Sequence, residues 1–210
     1  MKITLNKLGK KFNRQWVFKD IDFVFEAGSK TALVGNNGSG KSTLLQIIDN
    51  YQTYSRGEIV YEYEGKVLEE EALIGKISLA APYLELPEDF TLMEMLRFHF
   101  NLMPLRAGYD FGSILQESGL AGNEDKPIKY FSSGMKQRLK LILAIYADTP
   151  LLLLDEPCSN LDDHGIQWYH SLVSSFGSNR TLLIASNQKF EYDFCEHVLA
   201  VTDFKPKSAF

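Results

Sequence analysis

The sequence predicts an α/β fold, in which a parallel sheet carries a mostly helical insertion and follows a segment of antiparallel strands. Near the N terminus, apolar and polar residues alternate, as in antiparallel strands with one buried face. Short apolar segments then alternate with segments of helical periodicity, a pattern typical of strands buried on both faces of a parallel sheet. Between about 87 and 134 the pattern is instead helical and rich in loops, which predicts the insertion.

The predicted elements follow in chain order. The first two strands contain Ile3 and Leu5 and then Trp16 to Phe25. Thr91 and Glu94 have the spacing of a helix capping box and begin the helical insertion. The other predicted elements are a strand at 30–35, a helix from Lys41, a hairpin turning at Glu64-Gly65, a strand at 76–80, a helix at 135–147, a strand at 151–156, a helix at 164–176, and strands at 181–186 and 197–201.

Length and composition narrow the possible functions. The 210-residue chain suffices for one buried core with an inserted lobe, so we expect a single domain over 1–210. A net charge of -5 argues against nucleic-acid binding and against a polybasic membrane anchor. Cys158 and Cys195 provide no disulfide framework, which fits a reducing compartment. Without a signal peptide or a run of roughly 18 apolar residues, the sequence predicts a soluble, cytosolic protein.

The segment GNNGSGKS at 35–42 matches the phosphate-binding pattern G-x-x-x-x-G-K-[ST], and it lies between a predicted strand and a predicted helix. Glycines let such a loop direct its backbone N–H groups toward phosphate oxygens. Lys41 would reach the β- and γ-phosphates, and the hydroxyl of Ser42 would bind Mg²⁺. The alternative is a glycine-rich turn without a ligand. The predicted nucleotide-binding residues here are Gly35, Asn36, Asn37, Gly38, Ser39, Gly40, Lys41, Ser42 and Thr43.

Two adjacent carboxylates follow the four leucines of the segment LLLLDE at 151–156. In folds of this type, ligands bind at the carboxyl ends of the strands. Asp155 would therefore lie beside Mg²⁺, and Glu156 would face the γ-phosphate and activate or orient water. A solvated Asp-Glu pair at a strand end is the simpler interpretation, but it does not explain the four buried leucines before it.

A third motif, FSSGM at 131–135 followed by KQR, opens the helix predicted at 135–147. With the two motifs above, it makes the chain resemble the ATP-binding cassette (ABC) family over nearly all of its length; the family's signature usually reads L-S-G-G-Q. The resemblance implies that Ser132, Ser133 and Gly134 contact the γ-phosphate of ATP bound to a second cassette. A helix N-cap made by Ser132 or Ser133 would account for these residues without a ligand.

The resemblance extends to three further features. SNLD at 159–162 resembles the family's D-loop, which implies that Asp162 bridges two cassettes. Phe12 matches the aromatic residue that stacks on adenine, and Trp16 is the weaker candidate. The implied fold is a P-loop NTPase (ABC ATPase) core at 1–82 and 138–210, with an N-terminal antiparallel β-subdomain and an inserted helical subdomain at 83–137 that carries the signature.

Two positions depart from the family's pattern. Pro82 stands where the family has a glutamine that senses Mg²⁺ and water, and Tyr83 follows it. Asn187 stands where the family has a histidine that contacts the γ-phosphate; with a register one residue later, Gln188 would take that role. Proline offers no side-chain ligand, and asparagine can donate a hydrogen bond but carries no charge. Since Glu156 and Lys41 are present, we expect an active but slow ATPase.

The resemblance implies an ATP-binding and ATP-hydrolysing subunit of an ABC transporter. Two cassettes, identical or different, would dimerise around two Mg²⁺·ATP and drive separate transmembrane (permease) subunits from the inner face of the cell membrane. The segment AAPYLELPEDFTL at 80–92 matches the region that docks on those subunits, and its apolar residues Tyr83, Leu84 and Leu86 suit a protein contact. No nucleic-acid partner is expected.

Two other functions stay open from the sequence. One is a soluble ABC ATPase in DNA repair, translation or cofactor assembly. Coiled-coil repair proteins are excluded because Lys41 and Ser132 lie only 91 residues apart, and translation proteins of the family carry two cassettes in one chain. The other is a cassette that binds ATP with weak hydrolysis.

Overall fold

The computed structural model describes residues 1–176 and 180–206, and within these residues the strands form two sheets. The strands are β1 (Lys2–Phe12), β2 (Gln15–Phe25), β3 (Lys30–Val34), β4 (Arg56–Tyr63), β5 (Lys66–Leu68), β6 (Ile77–Ala80), β7 (Leu151–Asp155), β8 (Thr181–Ala185) and β9 (His197–Ala200). The α-helices are α1 (Lys41–Ile48), α2 (Leu92–Leu102), α3 (Phe111–Ser118), α4 (Ser133–Ile145) and α5 (Asp163–Phe176). The predicted α/β class is confirmed.

The antiparallel sheet has the strand order β2-β1-β4-β5. Ile3 pairs with Phe25 on one side and with Tyr61 on the other, and all three side chains are buried. The predicted hairpin turn at Glu64-Gly65 joins β4 to β5, and both turn residues have positive φ angles of 53° and 74°. Such a turn matches the twist of the strands that it connects.

The parallel sheet has the order β6-β7-β8-β3-β9, with β7 and β8 fully buried inside it. Successive residues of a strand point to opposite faces, so the four leucines of β7 divide between two cores. Leu151 and Leu153 pack in the core that contains α1 and the antiparallel sheet, while Leu152 and Leu154 pack in the core that contains α2 to α5. Burial on both faces explains why this strand is continuously apolar.

Helices α2, α3 and α4 lie between β6 and β7, where the helical insertion was predicted. The capping box of α2 is confirmed, since Glu94 N donates to Thr91 Oγ1 (3.2 Å) and Thr91 N donates to Glu94 Oε2 (2.8 Å). Helix α4 begins two residues before the predicted 135, because Ser132 caps it by accepting a hydrogen bond from Met135 N. The domain division at 83 and 137 stays a prediction, and its second boundary falls within α4.

The remaining elements match their predictions to within a residue at most ends. Four predicted strands end one residue early, at Val34, Asp155, Ala185 and Ala200. None of the helices in the described part of the chain combines the length and the apolar composition that a membrane crossing requires.

Asp49, at the C-terminal end of α1, provides a test of this packing. Burial raises the pKa of its carboxyl group from 3.8 to about 7. The folded chain therefore binds the proton more tightly than the unfolded chain, so this group lowers stability progressively as the pH rises from about 4 to about 7. We expect Asp49→Asn to gain stability relative to the wild type between pH 5 and pH 8, measured by urea unfolding. The exposed Asp125→Asn serves as the control, and an equal difference at both pH values would contradict the prediction.

Candidate functional site

The loop that joins β3 to α1 is built around backbone conformations that favour glycine. Gly35, Gly38 and Gly40 have φ angles of 146°, 73° and 103°. A Cβ atom on Gly40 would lie only 2.5 Å from Cγ1 of Val17 in β2. Glycine at this position thus lets the loop close against the antiparallel sheet while α1 begins at the next residue.

Lys41, the first residue of α1, is folded back into this loop. Its Nζ donates hydrogen bonds to the carbonyl oxygens of Gly35 (2.8 Å) and Asn36 (3.5 Å), and the side chain is buried. A buried ammonium group next to a helix N-terminus concentrates positive charge at this point. The loop therefore provides the electrostatics and the backbone N–H groups that anionic phosphate oxygens require.

Asp155, the last residue of β7, is buried beside α1. Burial raises the pKa of its carboxyl group to about 6, while a hydrogen bond from Ser42 and the charge of Lys41 act in the opposite direction. Its Oδ1 atom is buried without a hydrogen-bond partner among the described residues. An acceptor left alone in a buried position is costly, so this oxygen calls for a ligand.

The pair Ser42 and Asp155 fits a magnesium ion. A hydroxyl and a carboxylate are hard oxygen ligands, which Mg²⁺ prefers, and the ion would supply the partner that Asp155 Oδ1 lacks. The described residues contain no group of three or more His, Cys, Asp or Glu side chains that could hold a metal ion alone. Phosphate oxygens and water would thus complete the coordination.

Glu156 lies immediately after the end of β7, in a left-handed backbone conformation with φ of 44°. Its N–H donates to the carbonyl oxygen of Ala185 in β8 (2.9 Å), which fixes the turn. The residue lines a cavity of about 180 Å³ formed by the loop at 37–43, and also a neighbouring cavity of about 370 Å³. One carboxylate is therefore accessible from both.

Asn187 connects the loop after β8 to the phosphate-binding loop. Its Nδ2 donates a hydrogen bond to Oδ1 of Asn37 (3.1 Å), and both side chains line the larger cavity with Glu156. Gln188, the alternative at this position, lines the same cavity. Lys41, Ser42, Glu156 and Asn187 thus line two adjoining cavities, and the buried Asp155 lies next to them beside Ser42.

Ser132, Ser133, Gly134 and Asp162 line a third cavity of about 590 Å³ and neither of the other two. A Cβ atom on Gly134 would lie 3.0 Å from the carbonyl oxygen of Asn160, so glycine permits a close approach there. Asp162 Oδ1 accepts hydrogen bonds from Arg138 (2.7 Å) and from Gly165 N (2.9 Å) near the start of α5. Within one chain, the predicted signature residues are therefore separate from the phosphate-binding loop.

Phe12 and Pro82 contribute no side chain to these cavities. Phe12 ends β1, is 47% exposed, and has Lys10 Nζ at 4.7 Å from its ring centre. The carbonyl of Pro82 accepts a hydrogen bond from Lys140 (2.9 Å), which holds the chain after β6. The next residue, Tyr83, has a pKa raised first by burial and then by the charge of Asp155.

Glu191 is a residue that sequence reasoning missed. It lines the cavity of about 370 Å³ that Glu156 and Asn187 also line, and it is 2% exposed. Its side chain accepts a hydrogen bond from Cys158 N (2.8 Å). In the sequence it follows the polar segment SNQKF, where an acidic residue looks like part of a solvated loop. Only the path of the chain after β8 returns it to the interior, and the local sequence carries no signal for that path.

Comparisons with known proteins place these features in context. Residues 18–159 match the model of the ABC transporter family. The cytochrome c biogenesis ATP-binding export protein CcmA of Xanthomonas campestris pv. campestris (strain 8004) is 36% identical over 167 residues, which are 78% of this chain and 75% of that protein. The lantibiotic transport ATP-binding protein SrtF of Streptococcus pyogenes is 28% identical over 186 residues, 88% of this chain and 80% of that protein.

A solved structure shares the fold. The putative ABC transporter ATP-binding protein of Pyrococcus furiosus superimposes with a TM-score of 0.81 at 20% sequence identity, over 98% of this chain and 100% of that one.

Proposed function

Because this chain belongs to the ABC transporter family, as an ATP-hydrolysing subunit, we propose that two such cassettes enclose two Mg²⁺·ATP and thereby drive separate membrane subunits. The observation that carries the proposal is the arrangement at the end of β7. There, a buried carboxylate oxygen without a partner, on Asp155, lies beside Ser42 and close to the buried ammonium group of Lys41.

The roles of the residues follow from this arrangement. Backbone N–H groups of the loop and Lys41 would bind the phosphates, while Ser42 and Asp155 would hold Mg²⁺, whose charge would offset that of the phosphate oxygens. Glu156 lines the cavity next to the loop, where it orients a water molecule and takes up its proton. Asn187 donates a hydrogen bond near the transferred phosphate in place of a charged group.

A second cassette would complete each site. Ser132, Ser133 and Gly134 lie at the N-terminus of α4, where backbone N–H groups favour anions, but they line a cavity of their own. A partner chain would bring its own copy of this surface to the phosphates. The side chain of Asp162 is 67% exposed and so remains accessible to such a partner, whether identical or different. Phe12 would stack on the adenine.

The loop after β6 is the proposed contact with a membrane subunit at the inner face of the cell membrane. Tyr83 is 38% exposed, Leu84 is half-buried, and Leu86 packs partly against the helical core. The two named relatives are an export protein and a lantibiotic transport protein. We assign this chain a transmembrane (permease) subunit of an ABC transporter as its partner, and no nucleic-acid partner.

Weak hydrolysis is the second candidate, and two observations favour it. Pro82 provides no side-chain ligand for water or Mg²⁺, and Asn187 is neutral and bonded to Asn37. A slow turnover would keep the proposed dimer closed on ATP for longer.

Replacing Lys41 tests nucleotide binding through this loop. We expect Lys41→Ala to weaken ATP binding and to lower the hydrolysis rate by about 10²-fold or more, because the charge stabilising the transferred phosphate is lost. Calorimetric ATP titration and a phosphate-release assay measure both effects. Lys66→Ala removes an exposed lysine at the start of β5 and serves as the control. Unchanged hydrolysis in Lys41→Ala would refute the site.

Replacing the two carboxylates separately tests their different roles. Asp155→Asn should impair Mg²⁺·ATP binding and turnover together. Glu156→Gln should retain binding but lose about 10²–10⁴ in rate, because it keeps the size of the side chain and removes the base. It also removes a negative charge near the γ-phosphate, so size-exclusion chromatography should show an ATP-dependent dimer. Wild-type turnover without dimerisation in Glu156→Gln would disprove the mechanism.

Replacing Leu84 tests the contact with the membrane subunit. Leu84→Glu should reduce co-purification from detergent-solubilised membranes several-fold while ATP binding is kept, because it places a charge in an apolar contact. Ile74→Glu changes an apolar residue that is 85% exposed elsewhere and serves as the control. Wild-type chain that never associates with a membrane component would instead favour a soluble ABC ATPase.

A further inference from the structure

Glu191 is a buried acidic side chain that the proposed chemistry does not yet use. It ends the short 3₁₀ helix Lys189–Glu191 after β8, and only 2% of its surface is exposed. The hydroxyl of Tyr169 in α5 donates to its backbone carbonyl (2.8 Å), which anchors the main chain separately from the carboxyl group. An acidic side chain in such a position is stable only if hydrogen bonds compensate for its lost hydration.

The two carboxyl oxygens of Glu191 bind two different loops. Oε1 accepts a hydrogen bond from Cys158 N (2.8 Å), in the turn that follows β7. Oε2 accepts one from the hydroxyl of Ser186, directly after β8. That hydroxyl in turn accepts a hydrogen bond from Gln188 N (2.8 Å), so the carboxyl group organises the backbone of the 186–188 segment.

These two loops carry the residues that face the proposed reaction. Cys158 lies two residues after Glu156, and Ser186 immediately precedes Asn187. Glu156, Asn187 and Glu191 line the same cavity of about 370 Å³. Beside this cavity, the carboxyl group of Glu191 therefore links the turn that follows Glu156 to the residue that precedes Asn187, through one hydrogen bond to each.

We propose that Glu191 is a positioning residue, which fixes the distance between the turn bearing Glu156 and the loop bearing Asn187. This inference rests on the proposed ATPase function and adds a residue to it. A carboxylate suits the role because both of its oxygens accept hydrogen bonds. A glutamine amide has one acceptor and one donor group, so it can keep the bond from Cys158 N only by directing its N–H groups at Ser186.

The test separates turnover from binding in the purified full-length chain. Glu191→Gln and Ser186→Ala are compared with the wild type and with Asp193→Asn, which changes an exposed carboxylate two residues away. ATP titration counts the intact binding sites, and the hydrolysis rate is divided by that count, so a loss of folded protein does not lower the result. For Glu191→Gln we expect a kcat per site about 10- to 100-fold below that of Asp193→Asn, since small misplacements of reacting groups have effects of this size.

ATP affinity should change by less than about threefold in the same variant, because the hydrogen bonds of the Glu191 carboxyl group go to Cys158 and Ser186 and not to the residues of the phosphate-binding loop. Ser186→Ala breaks one of the two loop bonds and should lower kcat in the same direction by a smaller factor. If Glu191→Gln does not fold, Ser186→Ala decides by the same criterion. Unchanged kcat per site in Ser186→Ala and in any folded Glu191→Gln would overturn the inference.

The background Glu156→Gln distinguishes positioning from a general structural role. If Glu191 acts through Glu156, adding Glu191→Gln to this background should lower single-turnover hydrolysis by no more than about threefold, since coupled residues are not additive. The full loss seen in the wild-type background would overturn positioning through Glu156. A wild-type chain that neither binds nor hydrolyses ATP would refute the proposed function and this inference together, whereas an active wild type with an unaffected Glu191→Gln refutes the inference alone.

Discussion

The burial of β7 on both faces is the constraint on which the rest of the structure depends. Its four leucines divide between two cores, so the helices and the antiparallel sheet must cover opposite faces of the same strand. Its neighbour β8 pairs with all five of its residues and β6 pairs with the four leucines, so the strand is held from both sides up to Leu154 and from the β8 side at Asp155. The carboxyl end of the strand is therefore a rigid edge, and Asp155 and Glu156 lie there because the packing of the leucines places them.

The same rigidity creates an electrostatic cost. Asp155 is held where burial raises the pKa of its carboxyl group to about 6, and the charges of Glu156 and Glu191 raise it further. Ser42 and Lys41, both at the start of α1, act against this cost. The adjacent core thus also supports the site, because α1 packs its apolar face against β7 and β8 while its N-terminus faces the carboxylates. A divalent cation would remove most of the remaining cost.

Sequence patterns predicted the parts of this arrangement that depend on local periodicity or on a motif read in chain order. The capping box at Thr91, the turn at Glu64-Gly65 and the phosphate-binding loop belong to this group. Sequence patterns did not predict the hydrogen bond between Asn37 and Asn187 or the burial of Glu191. Both depend on the path that the loop after β8 takes once it leaves the sheet. An acidic residue in a polar segment has the same local pattern whether it is solvated or buried. The hydrogen bonds from Cys158 N and Ser186 Oγ distinguish a buried Glu191 from a solvated one. Cys158 is distant in the sequence, and a serine near an acidic residue does not by itself indicate such a bond.

At the proposed γ-phosphate position, the neutral side chain of Asn187 stands where the family's pattern has a histidine, and it hydrogen-bonds Asn37. A charged histidine could hold its place near a phosphate by long-range attraction, whereas the amide of Asn187 acts only over the length of a hydrogen bond. In the proposed role, the effect of Asn187 would therefore depend on the position of the loop that carries it. Asn37 holds that loop from the phosphate side, and the carboxyl group of Glu191 holds it from the side of β7 through Ser186. A site that relies on short-range contacts requires a fixed frame, and the buried end of β7 provides it.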